Sequence, residues 1–261
     1  MSQTNMRYEM MEKGIFIDPM INMQRIGNLV RQLRPVKTEH ELIRIGADAD
    51  GGYLVPNDLS GLKACFSPGV DNIASFEQHM HSLGVDSHLA DYSVDEVPQG
   101  TIVKSFIRKF LGANSVAEFI SLDDWVNNSE PTAKTDDLIL QMDIEGGEYD
   151  TLLACSKETL DKFRIMVIEF HSVETWSQSD FFKIVESTFQ KLLLTHALVH
   201  LHPNNAVGIA NMNGFLAPRV FEITMIKRTR ARIQGFADLP HPLDRGNMSH
   251  LPDLQLPDSW K

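Results

Sequence analysis

Cysteine is scarce in this chain, with Cys65 and Cys155 the only two among 261 residues. Two cysteines cannot make a disulfide framework, so the sequence predicts a reducing, cytoplasmic setting. No apolar run approaches the roughly 20 residues that a membrane helix needs. The first residues also lack the basic and then apolar layout of a signal peptide. We therefore expect no membrane span.

Basic residues are outnumbered as well, with 24 Lys and Arg against 35 Asp and Glu and a formal net charge of −11. Binding to a nucleic-acid backbone needs a basic face, so this balance argues against a nucleic-acid partner. One basic cluster, residues 227–232, is interpreted as the solvated end of a strand. The oligomeric state is left open by the sequence.

The GxGxxG nucleotide-binding motif is missing, yet about six or seven candidate strands alternate with helical patterns. This alternation predicts a mainly parallel sheet covered on both faces. We expect one α/β domain over residues 41–234, because no linker divides it. Residues 1–40 are predicted to be an N-terminal helical extension, with a helix near 21–33. The proline-rich residues 235–261 are expected to form an extended C-terminal tail packed on the domain.

The most informative stretch covers residues 136–153. An apolar run at 138–142 has the length of a fully buried strand. Asp143, Glu145 and Glu148 follow around two glycines, and a helical pattern comes next. Ligands bind where strands of an open α/β sheet end, and clustered carboxylates favour a cation or a donor-rich ligand beside them. The alternative is a solvated turn whose acids open a helix, where the helix dipole favours them.

Two further turns fit the same arrangement. A strand candidate at 63–70 ends in a glycine turn before a helical pattern, and the next strand candidate ends in Asp91, 22 positions after Gly69. That separation is close to the one between a glycine turn and a ribose-binding acid. The alternative is that Asp91 caps a turn. Residues 42–56 predict a β-hairpin with an Asp-Gly-Gly turn, which could instead close over a ligand as a lid.

Three segments carry a family resemblance. DLILQMDIEGGEYDTLLA, with SLDDW before it and VIEFH after it, resembles the FkbM-type (methyltransferase 21-like) S-adenosylmethionine-dependent methyltransferases. IRIGADADGGYLV and CFSPGVDNIASFE resemble a branch of methyltransferase-like proteins, and the whole resemblance spans about residues 42–226. It implies a Rossmann-like, seven-stranded class I methyltransferase sheet with helices on both faces. It also implies S-adenosylmethionine as the cofactor.

The resemblance assigns cofactor roles to matched positions. The residues implied to bind the cofactor are Ser67, Gly69 and Glu77 at the methionine and turn region, Asp91 at the ribose, and Asp123 or Asp124 near the adenine. The glycine-rich motif is degenerate in this chain, where it reads SPGVD.

The acceptor side is predicted from the other strand ends. Asp143 ends one strand, Glu169 and His171 end the next, and His200 and His202 end a third. We expect them to converge on one edge, with Asp143, His171 and His200 as catalytic residues. Asp143, Glu169 and His202 would hold a divalent metal such as Mg, Mn or Ca. The alternative is that the histidines pair with backbone or carboxylate groups as ordinary structural partners.

The expected activity is therefore O-methyl transfer to a hydroxyl of a sugar, a glycan or another small metabolite, with a metal assisting. A metal-dependent hydrolase would use the same acids and histidines to activate water. A non-catalytic cofactor-binding protein on a methyltransferase fold is the third alternative, because a fold does not fix a function.

Overall fold

The computed structural model describes residues 3–70, 74–129 and 135–261, so the start of the helical pattern predicted after the 63–70 strand candidate lies outside the described residues. In chain order the helices are α1 (Gln3–Glu12), α2 (Met23–Gln32), α3 (Ser75–Ser82), α4 (Leu122–Asn128), α5 (Glu148–Ala154), α6 (Lys157–Leu160) and α7 (Ser179–Thr195). The strands are β1 (Val36–Lys37), β2 (Leu42–Ile45), β3 (Tyr53–Pro56), β4 (Ala64–Pro68), β5 (Asp86–Ala90), β6 (Ser105–Ile107), β7 (Phe110–Gly112), β8 (Phe119–Ser121), β9 (Leu138–Met142), β10 (Phe163–Phe170), β11 (His196–Pro203), β12 (Ile209–Met212), β13 (Phe215–Pro218), β14 (Phe221–Lys227) and β15 (Gly235–Phe236).

Seven of these strands form one sheet, in the order β11-β14-β10-β9-β4-β5-β6. Strand β9 lies near its centre, pairs in parallel with both β4 and β10, and is buried along its whole length. Its residues are apolar on successive positions, apart from Gln141, because a parallel strand covered on both faces has no solvent side. The prediction of a central buried strand at 138–142 is confirmed.

Each face of the sheet has its own core. On one face, helices α2, α4, α5 and α7 bury residues such as Leu29, Trp125, Leu152 and Phe189. On the other face, the β2–β3 hairpin and α3 bury Tyr53, Val55, Phe76 and Met80 against the sheet. The predicted α/β class and seven-stranded architecture are confirmed by this arrangement. Every helix in the described part of the chain is too short or too polar to cross a membrane.

Strand β14 runs antiparallel to both of its neighbours, β10 and β11. In the sheet order it lies between them and separates β10 from β11. Glu222 of β14 stands in register with Glu169 on one side and His202 on the other. Because each strand spacing is about 4.8 Å, the backbones of Glu169 and His202 lie roughly 9.5 Å apart. Strands β10 and β11 therefore end at the same edge of the sheet, with β14 between them.

The hairpin and the tail both contact strand β14. Leu54 of the hairpin accepts a hydrogen bond from the Thr224 hydroxyl of β14 at 2.6 Å. At the hairpin turn, the Asp50 amide donates to the Asn247 carbonyl of the tail at 3.1 Å. Further along the tail, Trp260 packs on Phe221 with ring centroids 5.2 Å apart. The β2–β3 segment is thus the predicted hairpin, and tail residues hold its turn in place.

Candidate functional site

A cavity of about 600 Å³ opens at the carboxyl edge of the sheet, where β4, β5 and β9 end. Ligands of open α/β sheets bind at this edge. The lining is mainly apolar, with carboxylates at both ends. Its residues are Gly69, Val70, Ala90, Asp91, Ser93, Phe110, Leu111, Phe119, Asp143, Ile144, Glu145 and Gly147.

Gly69 joins the two sides of this cavity. Its φ of +85° lies in the region that only glycine adopts without strain. A Cβ at this position would stand 1.5 Å from the carbonyl oxygen of Asp143, so no side chain fits. The glycine is therefore required by the close packing of the β4 turn on the end of β9. That packing keeps the predicted cofactor turn and the predicted acceptor residue within one cavity.

Asp91 lies where β5 ends and is only 9% exposed. One of its oxygens accepts from the Val70 amide at 2.8 Å, and the other accepts from the amide and hydroxyl of Ser93 at 2.6 and 2.7 Å. Two carboxylate oxygens have about four lone-pair sites, so these three bonds leave capacity for a ligand in the cavity. Asp91 therefore caps a turn and also lines the cavity, and its ribose-binding role stays a prediction.

Ser67 and Glu77 lie behind the cavity wall. The Ser67 hydroxyl contacts a carboxylate oxygen of Glu77 and the amide oxygen of Gln141, all buried. Burial raises the pKa of the Glu77 carboxyl, which the bond to Ser67 partly opposes. A protonated Glu77 can donate to Ser67, which can then donate to Gln141, so every group has a partner. Glu77 also lines a smaller cavity of about 50 Å³ that shares Gly69 and Asp143 with the larger one.

Asp123 and Asp124 have structural partners. Asp123 accepts from the amide and the hydroxyl of Ser156 at 2.8 and 2.5 Å, which ties α4 to the start of α6. Asp124 accepts from the Ser115 hydroxyl, and its own amide is capped by Ser121 at 3.2 Å. Neither residue is among those that line the cavity. The adenine role implied for them stays a prediction.

An aromatic pair lines the cavity instead. The rings of Phe110 and Phe119 stand 5.6 Å apart, and the Tyr92 ring lies 5.2 Å from Phe110. Phe110 is 39% and Phe119 is 44% exposed, although large aromatic side chains are usually buried. Sequence reasoning missed this pair, because β7 and β8 are three-residue strands that bring the two rings together only when they pair.

A second group of residues gathers on the β9 side of the cavity, where Asp143 and Glu145 belong to the lining. We call these two acids, together with the adjacent Glu169 and His171, the acidic rim. Nε2 of His171 lies 3.7 Å from Asp143 Oδ1, 3.4 Å from Glu145 Oε2 and 3.8 Å from Glu169 Oε1. The structure therefore brings together three of the acceptor-side residues that the sequence predicted. Glu145 is an addition, with a side chain that is 86% exposed.

Glu148 organises the turn that carries the acidic rim. It is fully buried, and its Oε1 accepts from the backbone amides of Ile144 and Gly146 at 3.2 and 3.1 Å. The same oxygen lies 3.0 Å from Nδ1 of His171. Sequence reasoning counted Glu148 only as one of three clustered acids. Its position as the first residue of α5 was the available signal, because a side chain there can reach back to the preceding amides.

Burial sets the electrostatics of the acidic rim. Burial raises the pKa of the Asp143 carboxyl to about 7; the nearby His171 opposes this rise, and Glu145 and Glu148 add to it. Burial also raises the pKa of the Glu169 carboxyl well above its usual range, with Asp143 and Glu222 adding to the rise. For His171, burial acts to lower the imidazole pKa, but the hydrogen bond and charge of Glu148 prevail and raise it.

His200 and His202 have partners on the tail and on β14. His200 Nε2 lies 2.8 Å from Asp244 Oδ1, and both side chains are about 95% buried. His202 lies 3.8 Å from Glu222 and 3.7 Å from Asp253. The bond of His200 is the ordinary pairing of the alternative interpretation, whereas the contacts of His202 are longer than hydrogen bonds and its Nε2 has no hydrogen-bond partner among the described residues. The catalytic role of His200 and the metal role of His202 stay predictions, and β14 separates both residues from β10.

The structure suggests a different metal-ligand set from the predicted Asp143, Glu169 and His202. Among the described residues, donor atoms of Asp143, Glu145 and His171 all lie within 4.8 Å of one another. This set shares Asp143 with the prediction. It replaces the histidine of β11 with the one that directly follows β10.

The sheet order, the antiparallel β14 and the cavity at the carboxyl edge define a class I methyltransferase fold. The sequence profile of the methyltransferase FkbM domain matches residues 5–193. The chain therefore belongs to the FkbM methyltransferase family, which confirms the resemblance. No curated protein matches the sequence.

Solved structures give distant likenesses. An rRNA methylase from Streptococcus thermophilus is 8% identical with a TM-score of 0.38, over 82% of this chain and 98% of that one. A fibrillarin/Nop5p complex gives 11% identity and a TM-score of 0.38, over 65% and 74%. Magnesium protoporphyrin IX methyltransferase from Synechocystis PCC 6803, solved with bound SAM, gives 11% and 0.28, over 87% and 92%.

Proposed function

We propose that this chain is an S-adenosylmethionine-dependent methyltransferase that methylates a hydroxyl oxygen of a sugar, a glycan or another small metabolite. The observation that carries the proposal is one cavity of about 600 Å³ whose lining includes Asp91 after β5 and, after β9, Asp143 and Glu145 of the acidic rim. Family membership supports methyl transfer as the reaction. We infer that a nucleoside occupies one part of the cavity and an acceptor the part next to it.

The cofactor would occupy the end formed by β4 and β5. The remaining acceptor capacity of Asp91 suits one hydroxyl of a ribose. The exposed Phe110 and Phe119 rings, 5.6 Å apart, suit the flat face of an adenine. Gly69 lets the β4 turn approach closely, as backbone does around a nucleoside cofactor. The sulfonium would then point towards the acidic rim.

The acceptor would occupy the end formed by β9 and β10. In methyl transfer the acceptor oxygen bonds to the methyl carbon, the carbon–sulfur bond breaks, and sulfur leaves as a neutral thioether. The oxygen must also lose its proton, which needs an acceptor within hydrogen-bond reach. The carboxylates of the acidic rim are such acceptors. They would bind a donor such as a hydroxyl and receive its proton.

Binding and turnover test the proposal separately. S-adenosylhomocysteine at 100 times its dissociation constant should stabilise the protein by about 2.7 kcal/mol in thermal unfolding. Labelled S-adenosylmethionine should then transfer its methyl group to a member of a pooled set of sugars, glycans and hydroxylated metabolites. An oligoribonucleotide in the same pool tests the predicted absence of a nucleic-acid partner. No stabilisation by S-adenosylhomocysteine would contradict the proposal.

The same assay separates the alternatives that the sequence left open. A metal-dependent hydrolase would release product without S-adenosylmethionine and would stop when EDTA is added. A non-catalytic binding protein would be stabilised by S-adenosylhomocysteine and would methylate no compound. The cytoplasmic location stays a prediction from the low cysteine content, and fractionation of cells that express the full chain tests it.

A further inference from the structure

The acidic rim has too few hydrogen atoms for its acceptors. Nε2 of His171 faces Asp143, Glu145 and Glu169 at 3.4–3.8 Å, and these distances exceed those of ordinary hydrogen bonds. In the described part of the chain, Asp143 Oδ1 and Glu169 Oε2 are buried and have no hydrogen-bond partner. Glu169 is only 3% exposed, so water does not satisfy it from the surface. Unpaired buried carboxylate oxygens are costly unless a cation stands beside them.

Glu148 prepares the histidine for such a cation. Its Oε1 lies 3.0 Å from Nδ1 of His171 and is itself held by two backbone amides. A carboxylate bonded to one ring nitrogen keeps the proton there and turns the lone pair of the other nitrogen outward. Metal-binding histidines usually have a partner of this kind. In His171 the outward nitrogen is Nε2, the atom that faces the three carboxylates.

We propose that Asp143, Glu145 and His171 bind one divalent cation at the acceptor end of the cavity. Their donor atoms lie within 4.8 Å of one another, and ligand bonds of about 2.0–2.6 Å place the ligands of one ion roughly 3–5 Å apart. Two carboxylates and one imidazole suit Mn²⁺ or Mg²⁺, which prefer oxygen ligands and keep water or substrate at the remaining positions. The inference deepens the proposed function, because such an ion would hold the acceptor hydroxyl.

Glu145 also has an unusual backbone conformation. Its φ of +56° is uncommon for a residue other than glycine or asparagine, and its Oε2 lies 3.4 Å from Nε2 of His171 while the side chain is 86% exposed. Glu169 would remain outside the ligand set, where its free oxygen can bind a water molecule on the ion. The cation and its bound water would thus give partners to the unpaired carboxylate oxygens of the acidic rim.

Mn²⁺ binding to the full chain tests the site without any need for turnover. The fall of the free Mn²⁺ signal in electron paramagnetic resonance should reveal one saturable site. Glu145→Gln should weaken that site by about tenfold or more, and His171→Gln should weaken it further. Glu145 is exposed, so its substitution leaves the fold intact. Glu96→Gln, at another exposed glutamate, is the matched control and should bind Mn²⁺ as the unmodified protein does.

Two results would overturn the inference. One is a lack of saturable Mn²⁺ binding, which would mean that a protonated His171 alone balances the rim. The other is equal Mn²⁺ affinity in Glu145→Gln and Glu96→Gln, which would mean diffuse attraction to a chain with net charge −11. Titration of the same samples with S-adenosylhomocysteine separates this inference from the proposed function. Cofactor binding without Mn²⁺ binding would contradict only the proposed ion site. Mn²⁺ binding without cofactor binding would contradict the proposed function and support the ion site.

Discussion

The two ends of the cavity differ in how their carboxylates are hydrogen-bonded. At the end formed by β4 and β5, the carboxylate of Asp91 has three hydrogen bonds of 2.6–2.8 Å from its own turn. At the end formed by β9 and β10, Asp143 and Glu169 each keep one buried oxygen without a partner among the described residues. Burial raises the pKa of both of these acids. The acid at one end is held by hydrogen bonds from its own turn, whereas the acids at the other end keep buried oxygens without a partner in the described part of the chain.

We infer from this difference that one end binds the cofactor and the other carries the reactive groups. A preformed, satisfied wall recognises a ligand with little loss of entropy, which suits a cofactor that is common to many enzymes. Carboxylates with raised pKa values and open lone pairs resemble the perturbed groups that gather at reactive sites. A further buried acid, Glu222, lies beyond the acidic rim. Burial raises the pKa of its carboxyl to about 8. We therefore expect substitutions at the two ends to have effects of different kinds.

The largest expected effect comes from the glycine that joins the two ends. Gly69→Ala would place a Cβ 1.5 Å from the Asp143 carbonyl at a φ of +85°, so β4 and β9 could not keep their present packing. We expect a loss of more than about 4 kcal/mol in the free energy of unfolding, or no folded protein. Gly84→Ala is the control, since Gly84 has a φ of +76° but no atom within 4 Å of its Cβ position. It should cost about 1–2 kcal/mol in urea denaturation, from the backbone conformation alone. Equal losses would show that the packing against Asp143 is not tight.

The acceptor end should lose turnover and keep cofactor affinity. Asp143→Asn removes the charge while it keeps the size of the side chain, so we expect at least about a hundredfold fall in kcat with the acceptor identified by the screen. The dissociation constant for S-adenosylhomocysteine should change by no more than about threefold. Calorimetric titration and initial rates on the same preparation check both values. A large loss of cofactor affinity would mean that the two ends are not independent.

The cofactor end should show the reverse pattern. Asp91→Ala removes a charged acceptor and leaves the Val70 amide without its 2.8 Å partner. We expect the dissociation constant for S-adenosylhomocysteine to rise about tenfold or more, because a charge-assisted hydrogen bond contributes about 1.5–3 kcal/mol. Asp124→Ala, at a residue bonded to Ser115, should change that constant by less than about twofold. A large effect of Asp124→Ala in calorimetric titration would restore its implied adenine role.

The smallest effect concerns the pH dependence of stability at the acceptor end. Burial raises the pKa of Glu222 to about 8, whereas an unfolded glutamate has a pKa near 4.5. The folded state therefore keeps this proton more tightly, and stability falls as the pH rises from about 4.5 through 8. The glutamine in Glu222→Gln cannot ionise. The variant should therefore have the same Tm as the unmodified protein at pH 5 and a Tm several degrees higher at pH 9. Glu96→Gln should show no such difference in a differential scanning experiment at the two pH values.

Several features of the two cavity ends follow from the local sequence. The apolar run at Leu138–Met142 predicts a buried strand because a strand covered on both faces has no polar positions. The acids and glycines behind it predict a turn at the ligand edge, and the strand ending in Asp91 predicts the cofactor end. The FkbM resemblance, carried by contiguous motifs, is confirmed by the family match over residues 5–193. These signals are local, so a single sequence contains them.

Tertiary structure decided which groups meet. The direction of β14 is not encoded in its composition, yet it places Glu222 between Glu169 and His202. The partner of His200 is Asp244, 44 residues away on a tail with no repeating pattern. Likewise, Glu148 becomes the support of His171 only because β9 and β10 pair in parallel and end side by side. Contacts between distant residues depend on strand order and loop path, whereas local patterns report only burial and turns.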